Sequence, residues 1–205
     1  MMPRMNGYEL CRRVKERINI SHIPVILLTA RNDEQSQLLG YNYGADGYMA
    51  KPFEIEMLSA MIANLLRNRN LIRERYRQQS VMPAPEETAF SSADERFLIK
   101  LRTLVEENLQ QVQFNIPYLC REIGMSRTVL YNKLKQLTGL NVKEYVTKIR
   151  IERACRLIRE TGLSITEVAE QTGFSSSRYF STAFKQYMGM TPSQYKSGPQ
   201  AEQES

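Results

Sequence analysis

Tryptophan is absent from the 205 residues, histidine occurs once and cysteine three times. A lone histidine, His22, leaves no histidine-based metal cluster or triad to build, and reads as a surface loop residue. Cys11, Cys120 and Cys155 are odd in number and far apart, so neither a disulfide framework nor a thiolate metal site is expected. Long apolar runs are missing as well. The strongest, around Val25 to Leu28, is far below the ~20 residues of a membrane span. Met1 to Asn6 lacks the apolar core of a secretory signal. No glycine-rich phosphate loop, zinc-protease helix or paired nucleophile and base occurs. These gaps point to a cytoplasmic globular protein with no cofactor, no metal, no membrane contact and no catalysis of its own.

What is present is positive charge. Lysine and arginine number 28 against 22 acids, and the excess is uneven. From Arg121 to Arg159 ten basic residues face only Glu122, Glu144 and Glu152. Such density implies a polyanion partner, nucleic acid before anionic membrane.

The N-terminal stretch alternates helix and strand. Leu10, Cys11, Val14 and Ile18 have helical spacing over Gly7 to Ile18, and Val25 to Leu28 is a β-branched run of the kind buried in a parallel strand. Asp33 to Tyr43 reads as a weaker helix and Gly47 to Ala50 as a second strand. From Glu54 a long helix carries Ile55, Leu58, Ile62, Leu65 and Ile72. The order gives a partial parallel α/β unit over residues 1–79. A proline-bearing linker follows at 80–92, then an all-α domain over 93–197 and a disordered tail at 198–205. The fold class is therefore mainly α. Helix starts are marked by Ser92, Asn115, Ser126, Asn141, Ser164 and Thr191, with capping-box spacing from Ser92 to Glu95, Asn141 to Glu144 and Ser164 to Glu167.

The helical half is duplicated. Ile116, Leu119, Cys120 and Gly124 recur 49 residues later as Ile165, Val168, Ala169 and Gly173. Leu130, Leu134 and Gly139 recur 50 residues later as Phe180, Phe184 and Gly189. Each unit is a short helix, a turn opening on glycine and a longer helix, the helix-turn-helix pattern whose second helix enters the DNA major groove. No acid occurs from Ile123 to Lys143 or from Gln171 to Ala201, windows that contain both second helices. In the first, Val129, Leu130, Leu134 and Leu137 face inward, leaving Arg127, Thr128, Tyr131, Asn132, Lys135 and Gln136 outward. In the second, Phe180, Ala183, Phe184 and Tyr187 face inward, leaving Ser177, Arg178, Ser181, Thr182 and Lys185. Those outward types bond base edges and phosphates. Between the units, Asn141 to Thr161 reads as one helix of roughly 28 Å, close to the ~34 Å between successive major-groove faces.

On these residues, Phe97 to Lys196 resembles the AraC-type DNA-binding domain. The match includes Gly173-Phe174, Tyr179-Phe180, Phe184-Lys185, Gly189 and Thr191 to Tyr195. The resemblance implies base contacts from Thr128, Tyr131 and Asn132, and from Ser177, Arg178, Ser181 and Thr182. The N-terminal half resembles part of a response-regulator receiver domain. Met1 to Gly7 looks like the loop after the phosphoacceptor aspartate, Thr29 matches the switch hydroxyl, and Gly44 to Tyr48 with Lys51-Pro52-Phe53 matches the fifth strand and its lysine. The combination is similar to hybrid two-component regulators of the Bacteroides kind. By that resemblance the first three strands, the Mg²⁺-binding acids and the phosphoacceptor would precede Met1. Thr29 and Lys51 would then be relics, and Asp33 and Asp46 no substitutes. The expected partners are double-stranded DNA over two successive turns, a second copy of the chain and histidine kinase domains. The alternative is a signalling module that dimerises or binds a kinase without reading DNA.

Overall fold

The structure, a computed structural model, describes residues 5–30, 33–78, 92–110 and 114–198. The first segment runs α1 (Gly7–Glu16), β1 (Ile26–Thr29), α2 (Glu34–Asn42), β2 (Gly47–Ala50) and α3 (Ile55–Gln78). Asn6 and Asp33 cap α1 and α2, each side chain accepting a backbone N–H three residues on. β1 and β2 pair in parallel, from Ile26 opposite Gly47 to Thr29 opposite Ala50. Leu27, Ala45 and Tyr48 close around Cys11 in a small core. Leu10 and Leu28 remain exposed. The continuously apolar strand asks for two covered faces, and the described residues cover one.

The helical half comprises α4 (Ser92–Glu107), α5 (Ile116–Ile123), α6 (Arg127–Thr138), α7 (Val142–Glu160), α8 (Ile165–Gln171), α9 (Ser177–Met188) and α10 (Pro192–Ser197). Asn115, Ser126, Asn141, Ser164 and Thr191 cap their helices as their spacing predicts, and Asn141–Glu144 and Ser164–Glu167 close full capping boxes. α4 begins at Ser92, as expected, and its capping lies outside the described residues. The expected linker and tail also fall outside them, apart from Ser92 and Gly198.

Two cores hold this half. One gathers Phe97, Leu101, Leu119, Leu130, Leu134 and the start of α7 through Tyr145 and Ile149. The other gathers the end of α7, from Ile151 to Ile158, with Val168, Phe180 and Phe184. In the second, Phe174, Phe180, Phe184 and Tyr195 meet ring edge to ring face with centroids 5.1–5.5 Å apart, a favoured arrangement of aromatic quadrupoles. α7 thus belongs to both cores.

The first segment is joined to the helical half by buried contacts. Tyr76 of α3 sits in the first helical core, with Ile18 and Ile72 packed against it. Arg73 Nε donates to the carbonyl of Gln136 at 2.7 Å, and Lys148 donates to the carbonyl of Tyr76. Lys133 of α6 is fully buried, ion-paired with Asp94 of α4 and donating to Ser21 Oγ at 2.9 Å. His22 is the correction here. It does not lie on the surface but is buried beside this cluster, with no partner for Nδ1. A single histidine in a polar loop gives no sequence signal of burial, because Arg69, Asp94 and Lys133, which stand around it, are more than 40 residues away in the chain.

Candidate nucleic-acid interface

Each repeat unit builds a short helix, a tight turn and a longer helix. In the first, α5 ends on Gly124 at φ +76°, and Ser126 Oγ accepts the N–H of Val129 to start α6. In the second, Gly173 at φ +75° turns the chain and Ser176 Oγ accepts the N–H of Tyr179 at 3.2 Å to start α9. The extra residue between glycine and cap accounts for the change of repeat from 49 to 50. Gly173 is required twice over. Its φ suits glycine, and a Cβ there would stand 1.8 Å from the carbonyl oxygen of Leu109.

The inward stripe is as the periodicity predicts. Leu130, Leu134 and Leu137 of α6 and Phe180, Ala183 and Phe184 of α9 are buried, with Val129 and Tyr187 half-buried. Outward, Arg127, Thr128, Asn132, Lys135 and Gln136 are exposed and Tyr131 half-exposed, with the Arg127 guanidinium 5.6 Å from the Tyr131 ring centre. On α9, Arg178, Thr182 and Lys185 are exposed, and Ser177 and Ser181 half-exposed. Thr182 donates its hydroxyl to the carbonyl of Arg178 at 3.1 Å, so its oxygen is left chiefly as an acceptor. Both helices end on left-handed glycines, Gly139 and Gly189.

The second unit is held to α7 and to the turn after α4 by side-chain contacts. Gln110 Nε2 donates to the carbonyl of Gln171 at 3.1 Å, and Tyr187 donates to the carbonyl of Glu144 at 3.2 Å. The Arg150 guanidinium lies over the Phe174 ring, 5.9 Å from its centre. The result is two exposed, acid-free helices on one scaffold.

Comparison with known proteins accords with this geometry. Residues 119–198 match the family described as helix-turn-helix domain, and residues 1–63 the response regulator receiver domain. The chain joins a receiver-domain segment to an AraC-type helix-turn-helix domain. Histidine kinase P4 of Formosa agariphila is 38% identical over 196 residues, which is 96% of this chain and 14% of that protein. The HTH-type transcriptional activator RhaR of Escherichia coli K12 is 32% identical over 145 residues, 71% of this chain and 48% of that one. The C-terminal domain of the two-component response regulator yesN from Fusobacterium nucleatum is 33% identical and aligns with a TM-score of 0.43, covering 47% of this chain and 93% of that one. The chain spans less than half the length of Histidine kinase P4 and of RhaR.

Within the receiver segment, the register sets Thr29 and Ala50 opposite each other at the ends of β1 and β2, and the Lys51 N–H donates to the Thr29 carbonyl at 2.6 Å. The Lys51 side chain is exposed. Asp33, just beyond this end, and Asp46, at the opposite end of the strands, are both committed to structure. Asp33 caps α2 and accepts the Ser36 hydroxyl at 2.8 Å. Asp46 accepts Lys15 Nζ at 2.6 Å and the Val25 N–H at 2.7 Å, with Arg69 3.5 Å away. No group of three metal-ligating side chains occurs among the described residues, and no described helix is long and apolar enough to cross a membrane.

Sequence reasoning missed Lys133 and the arginines of α3. Lys133 adjoins the apolar stripe of α6, which was a usable signal. Asn70, Arg73 and Arg77 share one face of α3 at three- and four-residue spacing, but the run reads as an ordinary polar helix end.

Proposed function

We propose that the chain is the output part of a two-component phosphorelay, a transcription regulator that binds specific DNA sequences through α6 and α9. The carrying observation is the pair of exposed, acid-free second helices, Arg127 to Gln136 and Ser177 to Lys185, on a scaffold that α7 runs through. Helices with buried apolar backs and exposed Arg, Lys, Asn, Thr and Ser suit the major groove and its phosphates. Relatives named as a transcriptional activator and a histidine kinase support the same reading. On this reading Thr128, Tyr131, Asn132, Ser177, Arg178, Ser181 and Thr182 meet base edges, and Arg127, Lys135 and Lys185 meet phosphates. On the same reading Thr29 and Lys51 stand where a receiver domain carries its switch hydroxyl and its lysine. The working form is a cytoplasmic homodimer whose upstream partners are histidine kinase domains. Exposed Leu38 and Tyr41 of α2 and Ile55 and Ile62 of α3 support self-association.

Duplex binding titrated with salt tests the assignment. Affinity should fall steeply and linearly on a logarithmic scale as counterions are released. Association of two chains without any salt-dependent duplex binding would favour a dimerising signalling module instead.

A further inference from the structure

We propose a phosphate-binding groove outside the helix-turn-helix units, between α3 and the end of α6, that grips the DNA backbone beside the bases read by α6. It rests on the DNA-binding reading and extends it to the receiver's last helix. The cleft has a volume of about 480 Å³, and its cations are Arg73 and Arg77 of α3 and Lys135 of α6. Glu74 is the only carboxylate among the side chains lining it. Its contact with Arg77 is long, 3.9 Å, and both side chains are more than half exposed. Such a pair holds little energy and can be exchanged for a phosphate.

The groove is built rather than incidental. Arg73 is anchored by two donors, Nε to the Gln136 carbonyl at 2.7 Å and one Nη to Asn70 Oδ1 at 3.1 Å. A guanidinium has five donors, so a fixed fork keeps others for an anion, the geometry in which arginine binds phosphate best. Gly139 makes the approach possible. A Cβ there would meet Arg77 Cδ at 3.2 Å and Arg73 Cβ at 3.3 Å, at a φ of +73°. The two arginine stems therefore lie directly over the C-terminal cap of α6.

DNA is the occupant that position favours. Lys135 lies one turn beyond Tyr131 and two beyond Thr128 on the outward face of α6. The groove is thus continuous with the surface assigned to the bases. An open cleft carrying three cations suits a backbone running past it.

The test uses the full chain and fluorescence-labelled duplexes of roughly 30 base pairs, enough for two half-sites and their flanks, one random and one obtained by selection on the wild-type protein. Arg77→Ala should weaken both duplexes by the same factor, about three- to tenfold, and lower the salt slope by about 1. Arg77→Lys should recover most of the loss, and ethylation of one phosphate flanking the α6 half-site should reproduce it. Thermal unfolding of each variant separates lost contact from lost structure. If Arg77→Ala leaves affinity and salt slope unchanged while Arg178→Ala still erodes sequence preference, the groove is refuted and the DNA-binding reading stands. If the wild-type chain binds neither duplex, both fall.

Discussion

Lys133 and Asp94 form an ion pair sealed from water, between the helix proposed to read the first half-site and the helix that opens the helical half. Ser21, from the receiver segment, completes the site by donating to the same carboxylate at 2.7 Å. Burial pulls the Lys133 ammonium below the usual lysine range, and the hydrogen bond and charge of Asp94 oppose that pull. Removing one member strands a charge in a dry interior. Asp94→Leu or Lys133→Met alone should therefore cost about 3–5 kcal/mol, and the double variant should regain most of it. Chemical denaturation of the three variants checks this; losses that simply add would show that the pair is not coupled.

Acid should loosen the join between the segments at His22. Its pKa is depressed from 6.5 to about 4, first by burial and then by the Lys133 charge, with Arg69 and Lys15 acting in the same sense and Asp94 against it. Below about 6.5 the unfolded chain takes up a proton that the folded ring refuses until about 4. The unfolded state therefore binds more protons in that window, and stability falls as the pH drops through it. The melting temperature should decline between about pH 7 and pH 4.5, and His22→Leu should flatten that decline. An unaltered slope in the variant would assign the sensitivity to other groups.

Gly173 is the backbone position where substitution should be least tolerated. Gly173→Ala places a methyl against the Leu109 carbonyl in a left-handed conformation and should destabilise by roughly 2–4 kcal/mol. Gly189→Ala shares the φ but meets nothing within 4 Å, so it should cost only about 1 kcal/mol. Equal unfolding midpoints for the two variants would contradict the close approach.

Arg178 and Asn132 test the assignment of bases. Arg178→Ala should lose about 1–3 kcal/mol at one or two base pairs, and Asn132→Ala a similar amount at positions roughly 10 base pairs away. Footprints that place both losses within the same few base pairs would contradict the spacing argued from α7. An equal loss on every sequence would make Arg178 a phosphate contact.

Most of the fold is legible in the sequence because its information is local. Ser126, Asn141 and Ser164 mark their helix starts within three residues, and the duplicated apolar stripe fixes the inward faces of α6 and α9. The outward candidates are then the complement of that stripe. What escaped detection depends on distant partners. His22 and Lys133 carry the residue types of a surface, and the groups that meet them in the interior come from afar: Arg69 reaches the His22 carbonyl, and Asp94 and Ser21 reach the Lys133 ammonium. Asp94, in the first turn of α4, was legible only as part of a helix start, and its engagement with Lys133 was not. The groove arginines were invisible because exposed arginines on a helix look alike until a second helix lies beside them.

If α6 and α9 read DNA as proposed, the passage of α7 through two cores bears on how wide a set of sites the protein can accept. A hinge between the reading heads would let them adjust to several separations and would lose conformational entropy each time both were seated. Here Tyr145 and Ile149 are locked into one core and Ile151 and Ile158 into the next, with Gly173 pressed against Leu109 alongside. The separation and angle of the heads are settled at folding, like the jaws of a fixed calliper. One extra base pair between half-sites turns the second by about 35°, farther than a packed interior can follow. Such a protein should distinguish operators by the distance between their halves as sharply as by the letters within them.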